Sequence, residues 1–567
     1  MKKKAIQSLI AIVFTLHASL FTSFAQTLNI QVGNVTYQFP AAQCGDMTYQ
    51  NGTSLTVMGK TFTLNDISGM TVDHTEVTDN LVSIAYNGTS ATVTVAGNVA
   101  RYVTPTVSGA YVTIDQNNTE AVDDDEITYQ LSGTSTDGQF ALSGSYKCTV
   151  SLAGVNLTCT TDAAISITNK KRIQISAKNG TTNTLTDCAN GSQKGCIYSK
   201  GQIQLQGKGT LNVVGKTKHA VKSGDYIHIK NLTLNITSAV GDGISCNKYF
   251  VMESGTVAIS GIGDDGIQCD LEEDDTQTGE TTDHNDENSA NIYLEGGMLT
   301  IVNSAAGGKG IKANGELHIS DGTIDIKVTG SNIKSGTDTT AAKAIKSDGN
   351  MTISGGSVSA SASSHEAIET KGTLTVTGGT VYAYSAADDA INSASHMYLK
   401  GGTVTGVSNG NDGIDSNGDM YISGGTVIAC GAREPECGLD AAERYHLYIT
   451  GGNVLGIGGG NNTVTSTTGS QCVLSTSGSA TAGTTVAVKS GSDTLASFTI
   501  PTGYSPSSSG GGGPGGGWGG HGPGGSSSSG NFSYLLSCAG LTSGSSYTIT
   551  IGSSSTTAKA STSYSGR

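Results

Sequence analysis

The sequence predicts an all-β protein: a parallel β-helix (solenoid) through the middle of the chain, with small β regions at both ends. Three observations predict it. A motif recurs at a near-constant spacing of about 23 residues. Within each copy, apolar and polar residues alternate over short runs punctuated by Asn-Gly and Gly-Gly pairs. The composition is rich in small residues, with 80 glycines in 567 residues and a single tryptophan, which suits a long thin core better than one thick one.

The repeat is the strongest of the three. NDGIDSNGDMYISGGTV runs from Asn411, DDAINSASHMYLKGGTV from Asp388 and HEAIETKGTLTVTGGTV from His365. AKAIKSDGNMTISGGSV starts at Ala342 and GKGIKANGELHISDGTI at Gly308, with weaker copies from Gly241 and Cys437. The copies align on an apolar anchor: Ile197, Val221, Ile244, Ile267, Ile311, Ile345, Ile368, Ile391, Ile414 and Leu439. Successive anchors are 24, 23, 23, 44, 34, 23, 23, 23 and 25 residues apart, so two steps carry insertions.

Each copy holds strands. In the copy from Asn411, inward Ile414 and Ser416 alternate with Asp415, and Met420 and Ile422 alternate with Tyr421 and Ser423. Asn417-Gly418 and Gly424-Gly425 supply the left-handed backbone that tight corners need. Three short strands and three corners make one coil, and coils stack about 4.8 Å apart with their apolar residues in register.

The ends read differently. Residues 1–25 read as a secretory signal: Lys2, Lys3 and Lys4, an apolar stretch, then Ser23-Phe24-Ala25 as a cleavage site. Residues 26–125 read as an N-terminal β region. Residues 126–193 read as the cap and first coils, 194–460 as the parallel β-helix, and 461–567 as a C-terminal β module interrupted by a Gly/Ser-rich loop, 505–530. The expected setting is therefore secreted, extracellular or at the cell surface, with no membrane span and a monomeric chain.

Charge narrows the partners. The chain carries 31 basic and 46 acidic residues, and loss of the leader lysines leaves 28 against 46. No basic patch with interleaved aromatics is present, which argues against nucleic acid. Eleven cysteines in an exported chain favour some disulfides. Cys188–Cys196 and Cys430–Cys437 are candidate local pairs, while Cys246 and Cys269 are spaced as neighbours on adjacent rungs.

The repeats, the YQLSGTSTDG segment before them and the KGCIYSKGQIQLQGKGTLNV coil resemble a bacterial cellulose- and acid-sugar-binding β-helix family, related in fold to family 9 polysaccharide lyases. The resemblance covers about residues 126–460. It implies a right-handed β-helix, polysaccharide binding (cellulose, or an acidic plant polymer such as pectin) and calcium sites.

Four features could carry that chemistry. Asp242 precedes anchor Ile244 by two residues, and Asp264-Asp265 precede Ile267 one rung on. Stacked carboxylates need a counter-ion, and Ca²⁺ takes six to eight oxygens in a flexible shell. Where the related lyases have a further Asp, this chain has Gln268. A second cluster comprises Asp388, Asp389, Asp412 and Asp415 with Asn392, extended by Glu366 and Glu369. Asp also favours corners for purely conformational reasons.

Lys312, after anchor Ile311, is the base if the protein is a lyase, because the related enzymes use a lysine near here to take the proton beside a uronate carboxylate. Lys346 repeats it on the next rung, as an ordinary ladder position would.

Tyr398, Tyr421 and Tyr448 share one outward position, with Tyr293 and His318 in earlier rungs; outward Tyr382 and Tyr384 are further candidates. Exposed ring faces would suit sugar C–H faces, and stacking within the ladder is the alternative. The acidic insertion 270–290 reads as a solvated loop in which Asp270 could complete a metal shell.

The reading that follows is a non-catalytic, calcium-assisted polysaccharide-binding protein. The alternatives are a calcium-dependent lyase acting by β-elimination through Lys312, and a surface adhesin or structural solenoid.

Overall fold

The computed structural model describes residues 26–271, 287–506 and 531–566. The signal segment, most of the acidic insertion and nearly all of the Gly/Ser-rich loop lie outside them. Among the described residues nearly all regular structure is β-strand, as alternation predicts, and no helix is long and apolar enough to cross a membrane. The chain divides into two compact units, residues 1–235 and 236–567.

The first unit opens antiparallel. Thr27–Val32 pairs with Val35–Pro40 and with Ile67–Asp73, and Thr48–Gln50, Ser54–Val57 and Lys60–Thr63 form a small sheet. Tyr37 and Phe39 meet Phe62 edge-on, at 5.0 and 6.0 Å between ring centroids. Parallel stacking begins before residue 126: Leu81–Asn87 pairs in parallel with Thr128–Ser135, and Ala110–Gln116 with Gly138–Gly144. The boundary drawn at 125/126 therefore falls inside a stack. Thr/Val alternation is the same for parallel and antiparallel strands, so the pattern could not mark the change. From there, Cys148–Thr158 supports both Ile173–Ala177 and Thr182–Thr186, followed by Ile203–Gly207 and Thr210–Gly215.

The second unit is the regular part. Its anchors pair rung on rung in parallel: Ile244 with Ile267, Ile267 with Ile311, Ile311 with Ile345, and onward through Ile368, Ile391 and Ile414 to Leu439. All are at most 1% exposed. Both long steps keep the register, so their extra residues leave the coil as insertions. In the second, Ile333–Ser335 and Asp338–Thr340 form a hairpin.

Glycine is required at the corner between the second and third strands. Gly402 has φ +74°, and a Cβ there would sit 2.5 Å from the Gly379 carbonyl oxygen. Buried hydroxyls join the coils. Ser416 Oγ donates to Ser395 O at 2.9 Å, Thr370 Oγ1 to Gly349 O at 2.6 Å and Ser408 Oγ to Asp388 O at 2.6 Å. Each satisfies a corner carbonyl that the ladder leaves over.

The C-terminal strands close the last coil. Phe532–Ser537 pairs antiparallel with both Leu447–Gly458 and Val473–Gly478. Thr485–Ser490, Asp493–Thr499, Ser546–Ile551 and Ser554–Lys559 form a four-stranded antiparallel sheet packed on the same apolar cluster. Tyr382 and Tyr384 pack against that cluster and are half-buried rather than fully outward.

None of the eleven cysteines is disulfide-linked, including Cys188, Cys196, Cys430 and Cys437. Cys196 and Cys430 are fully buried, turned into the coil as their strand positions dictate. Cys246 and Cys269 do stack as buried neighbours on adjacent rungs.

Candidate functional site

Two positions beside each anchor leave the apolar core: the residue two before it and the residue one after it. In the second unit the earlier position reads Asp242, Asp265, Lys309, Lys343, Glu366, Asp389, Asp412 and, as the apolar exception before Leu439, buried Cys437. The later one reads Ser245, Gln268, Lys312, Lys346, Glu369, Asn392, Asp415, Asp440, each paired with the next in register. The fold thus lines up two acidic groups with lysines and glutamates between them.

The first acidic group is Asp242, Asp264 and Asp265, with one carboxylate oxygen from each inside a 4.8 Å cluster. Asp242 and Asp265 are buried and Asp264 is exposed. Backbone amides hold the two buried ones: Asp242 Oδ1 accepts from Asp265 N at 3.2 Å, and Asp265 Oδ1 from Lys309 N at 2.7 Å. Burial, reinforced by Asp264 and Asp242 and opposed by Lys309, pushes Asp265 up to about 7. Gln268 bridges once its amide is assigned with the nitrogen toward Asp242 Oδ2, 2.8 Å away, which turns its oxygen to accept from Lys312 Nζ at 3.1 Å. Lys312 therefore reaches the edge of this group through a neutral amide. Asp270 accepts from Asn314 Nδ2 at 2.5 Å and is not part of the cluster.

The middle is neutralised by its own side chains. Buried Lys343 pairs with Glu366 at 3.0 Å and also with Glu369, which Lys371 reaches from outside. Burial works against the Glu369 charge, but the two lysines outweigh it and hold its pKa low. His365 Nδ1 pairs with Asp388 Oδ2 at 2.9 Å and with Glu366. Burial opposes the imidazolium, yet those two carboxylates push His365 up to about 9. His365, Glu366 and Asp388 have the proximity of a metal site, but this imidazolium and Lys343 already supply the counter-charge.

The second acidic group differs in membership from the sequence expectation. Asp388 turns to His365, and Asp412 and Asp415 gather with Asp440, one oxygen of each within the same 4.8 Å limit. Asp389 lies alongside: Asn392 Nδ2 donates to Asp389 Oδ2 at 3.0 Å and to Asp415 Oδ2 at 2.8 Å. Burial raises the pKa of Asp389, Asp412 and Asp415, the last to about 7. The charges weighing most on Asp412 and Asp415 are other carboxylates, Asp440 first. Asp440 was not singled out from the sequence, although it follows anchor Leu439 as Asp415 follows Ile414. Lys309, Lys343 and His365 were missed too: Lys343 reaches Glu366 and Glu369 a coil on, and His365 reaches Asp388 a coil on as well as its neighbour Glu366.

The tyrosine column exists, and of the two arrangements left open by the sequence its rings adopt the stacked ladder. Tyr398 and Tyr421 stack at 5.1 Å with 9° between planes, and Tyr421 and Tyr448 at 4.9 Å with 14°. Both faces of Tyr421 are covered by its neighbours, and Lys400 Nζ lies 5.1 Å from the Tyr398 ring centroid. The ladder presents edges and hydroxyls, with Tyr421 Oη donating to Asp419 Oδ2 at 3.1 Å. Tyr293 and His318 stack likewise at 5.1 Å, and Tyr293 is only 4% exposed because its hydroxyl donates to buried Glu287.

The sequence has relatives among known proteins. Residues 108–389 match the family of carbohydrate-binding domain-containing proteins. That family match takes in the first acidic group and Lys312 and stops short of Asp412, Asp415, Asp440 and the tyrosine ladder. A curated carbohydrate-binding domain-containing protein of Acetivibrio thermocellus is 29% identical over 111 residues, 18% of this chain. The alignment spans 39% of that relative's length. A solved structure described as the polysaccharide lyase-like protein from C. thermocellum, in a gadolinium derivative, aligns at 20% identity with a TM-score of 0.32, covering 52% of this chain and 96% of that one.

Proposed function

We propose that this protein is exported and binds polysaccharide without cleaving it, assisted by calcium held on the outer rows of its β-helix. The match to carbohydrate-binding domain-containing proteins supports the ligand class. The observation that carries the calcium reading is the gathering of Asp412 and Asp415 of one rung with Asp440 of the next, with other carboxylates as the weightiest charges on Asp412 and Asp415. Such an all-oxygen set fits a hard cation that accepts a loose shell. Bound calcium would cancel the repulsion and offer open coordination to sugar hydroxyl or carboxylate oxygens. Asp389 and Asn392 flank the set and hold Asp415 in place. The first group, Asp242, Asp264 and Asp265, is a second candidate with exposed Asp264 on its open side.

The test is retention on insoluble cellulose and on polygalacturonate, with calcium and with chelator, alongside calcorimetric calcium titration of the wild type and Asp415→Asn. Calcium-dependent retention that Asp415→Asn weakens at least tenfold supports the reading. A chain that neither takes up calcium nor is retained on either polymer refutes it.

A lyase is the second reading, favoured by one arrangement: with the Gln268 amide nitrogen assigned toward Asp242, its oxygen meets the Lys312 amine at the edge of the first acidic group. It requires ultraviolet-absorbing unsaturated uronate products that disappear in Lys312→Ala.

A further inference from the structure

The C-terminal module holds a pair of cysteines that no sequence pattern connects, since 65 residues and the Gly/Ser-rich segment separate them. Val473–Gly478 and Phe532–Ser537 run antiparallel with Val473 opposite Ser537 and Leu474 opposite Leu536. One step further along the same register, Cys472 stands opposite Cys538. Both thiols face the same side, because Cys472, Leu474, Leu536 and Cys538 all belong to one apolar cluster. Cys472 is 7% exposed and Cys538 fully buried. The strands stay close at this end: Ser537 Oγ donates to Cys472 O at 2.8 Å, and Gln471 Nε2 donates to Ser537 Oγ at 2.8 Å. Directly opposed residues of an antiparallel pair have Cα atoms about 4.5–5.5 Å apart, inside the range of about 4.4–6.8 Å that a disulfide spans. Cys430 lies in the same cluster, but its strand partner is Ile457, so the register places neither cysteine opposite it.

We propose that Cys472 and Cys538 are joined as a cross-strand disulfide when the chain folds under oxidising conditions, locking together the strands on either side of residues 505–530. The oxidising setting rests on the export reading above; the cross-link itself rests on the register alone. The oxidant is a small-molecule or protein disulfide. One thiolate attacks it and displaces a thiol, and the second thiolate then displaces the other. Two protein thiols lose two electrons and two protons, and one external disulfide becomes two thiols. Burial pushes the Cys538 thiol up to about 11, so the exchange belongs to folding, before the cluster closes.

The full chain is folded in a buffer of oxidised and reduced glutathione, alkylated and digested with trypsin without reduction. Cleavage after Arg444, Lys489 and Lys559 isolates Cys472 on peptide 445–489 and Cys538 on peptide 490–559. The expected result is those two peptides linked, 2 Da below their summed mass and separated by dithiothreitol. Reductant should also lower the melting temperature of the wild type and leave that of the folded Cys472→Ser/Cys538→Ser variant unchanged. Recovery of both peptides singly alkylated, or linkage of either to peptide 401–433 with Cys430, overturns the proposal. A cross-link formed in glutathione by a protein that fails to bind polysaccharide would leave this inference standing and count only against the function proposed above.

Discussion

Single side chains divide the outer rows into stretches where lysines meet glutamates and stretches where carboxylates gather. Lys343 matters most, being buried with Glu366 and Glu369 both on its ammonium. Replacing it with methionine keeps the volume and strands two carboxylates in a poorly solvated place. Lys343→Met should cost about 3–5 kcal/mol of stability by urea unfolding, the range for removing one partner of a buried ion pair. A half-buried ladder residue behaves differently. Tyr421→Ala removes two ring stacks, worth about 0.5–1.5 kcal/mol each beyond area burial. Because its ring faces are covered, Tyr421→Phe should retain that stability, and any loss of glycan affinity in Tyr421→Phe would report on the hydroxyl alone. Gln268 shows how one neutral residue alters a site: with its amide nitrogen turned to Asp242, it joins Asp242 to Lys312 without adding charge.

At the scale of the coil, three devices keep rungs in register. Anchors supply the apolar contact, Gly-Gly corners let backbones approach, and buried hydroxyls take up corner carbonyls. Ser416→Ala deletes one hydroxyl staple, to Ser395 O, and keeps the rest. It should cost about 1 kcal/mol, read as a shift in denaturant midpoint at unchanged slope. The anchors were legible in the sequence because the inward face repeats every coil, and the pairings of Ile267 with Ile311 and Ile311 with Ile345 hold through both insertions. The polar rows were only half legible. Their positions follow from the anchors, but which carboxylate meets which cation depends on side-chain reach between rungs, and that reach gave Asp388 to His365 and Asp440 to Asp415.

At the scale of the whole molecule, these groups set how stability depends on pH. Asp265 and Asp415 have pKa values raised to about 7 by folding. A carboxyl raised in this way favours the folded state while protonated, so its contribution is full below the ordinary carboxylate range and is lost as pH climbs to about 7. His365, raised to about 9, favours the fold below its ordinary value near 6.5 and loses that contribution on the way to 9. Glu369 and Asp388 are shifted down, so they act only on acidification below the ordinary carboxylate range. With chelator present, the melting temperature should therefore decline from pH 5 to pH 9. Calcium should restore the part due to the carboxylates, and Asp415→Asn should flatten the slope. A melting temperature that is flat or rises over that interval would contradict these assignments.

By itself the sequence determined the β-helix, the phase of its coils and the residues pointing out of them, because a stacked fold needs the same apolar residue at the same place in every coil. The tertiary structure decided what periodicity cannot carry. It set the start of parallel pairing ahead of residue 126, since alternation is blind to strand direction. It turned the tyrosines face to face, since outwardness leaves the ring plane unspecified. It also chose the ion partners and the opposed cysteines, since both depend on distances between groups far apart in the chain.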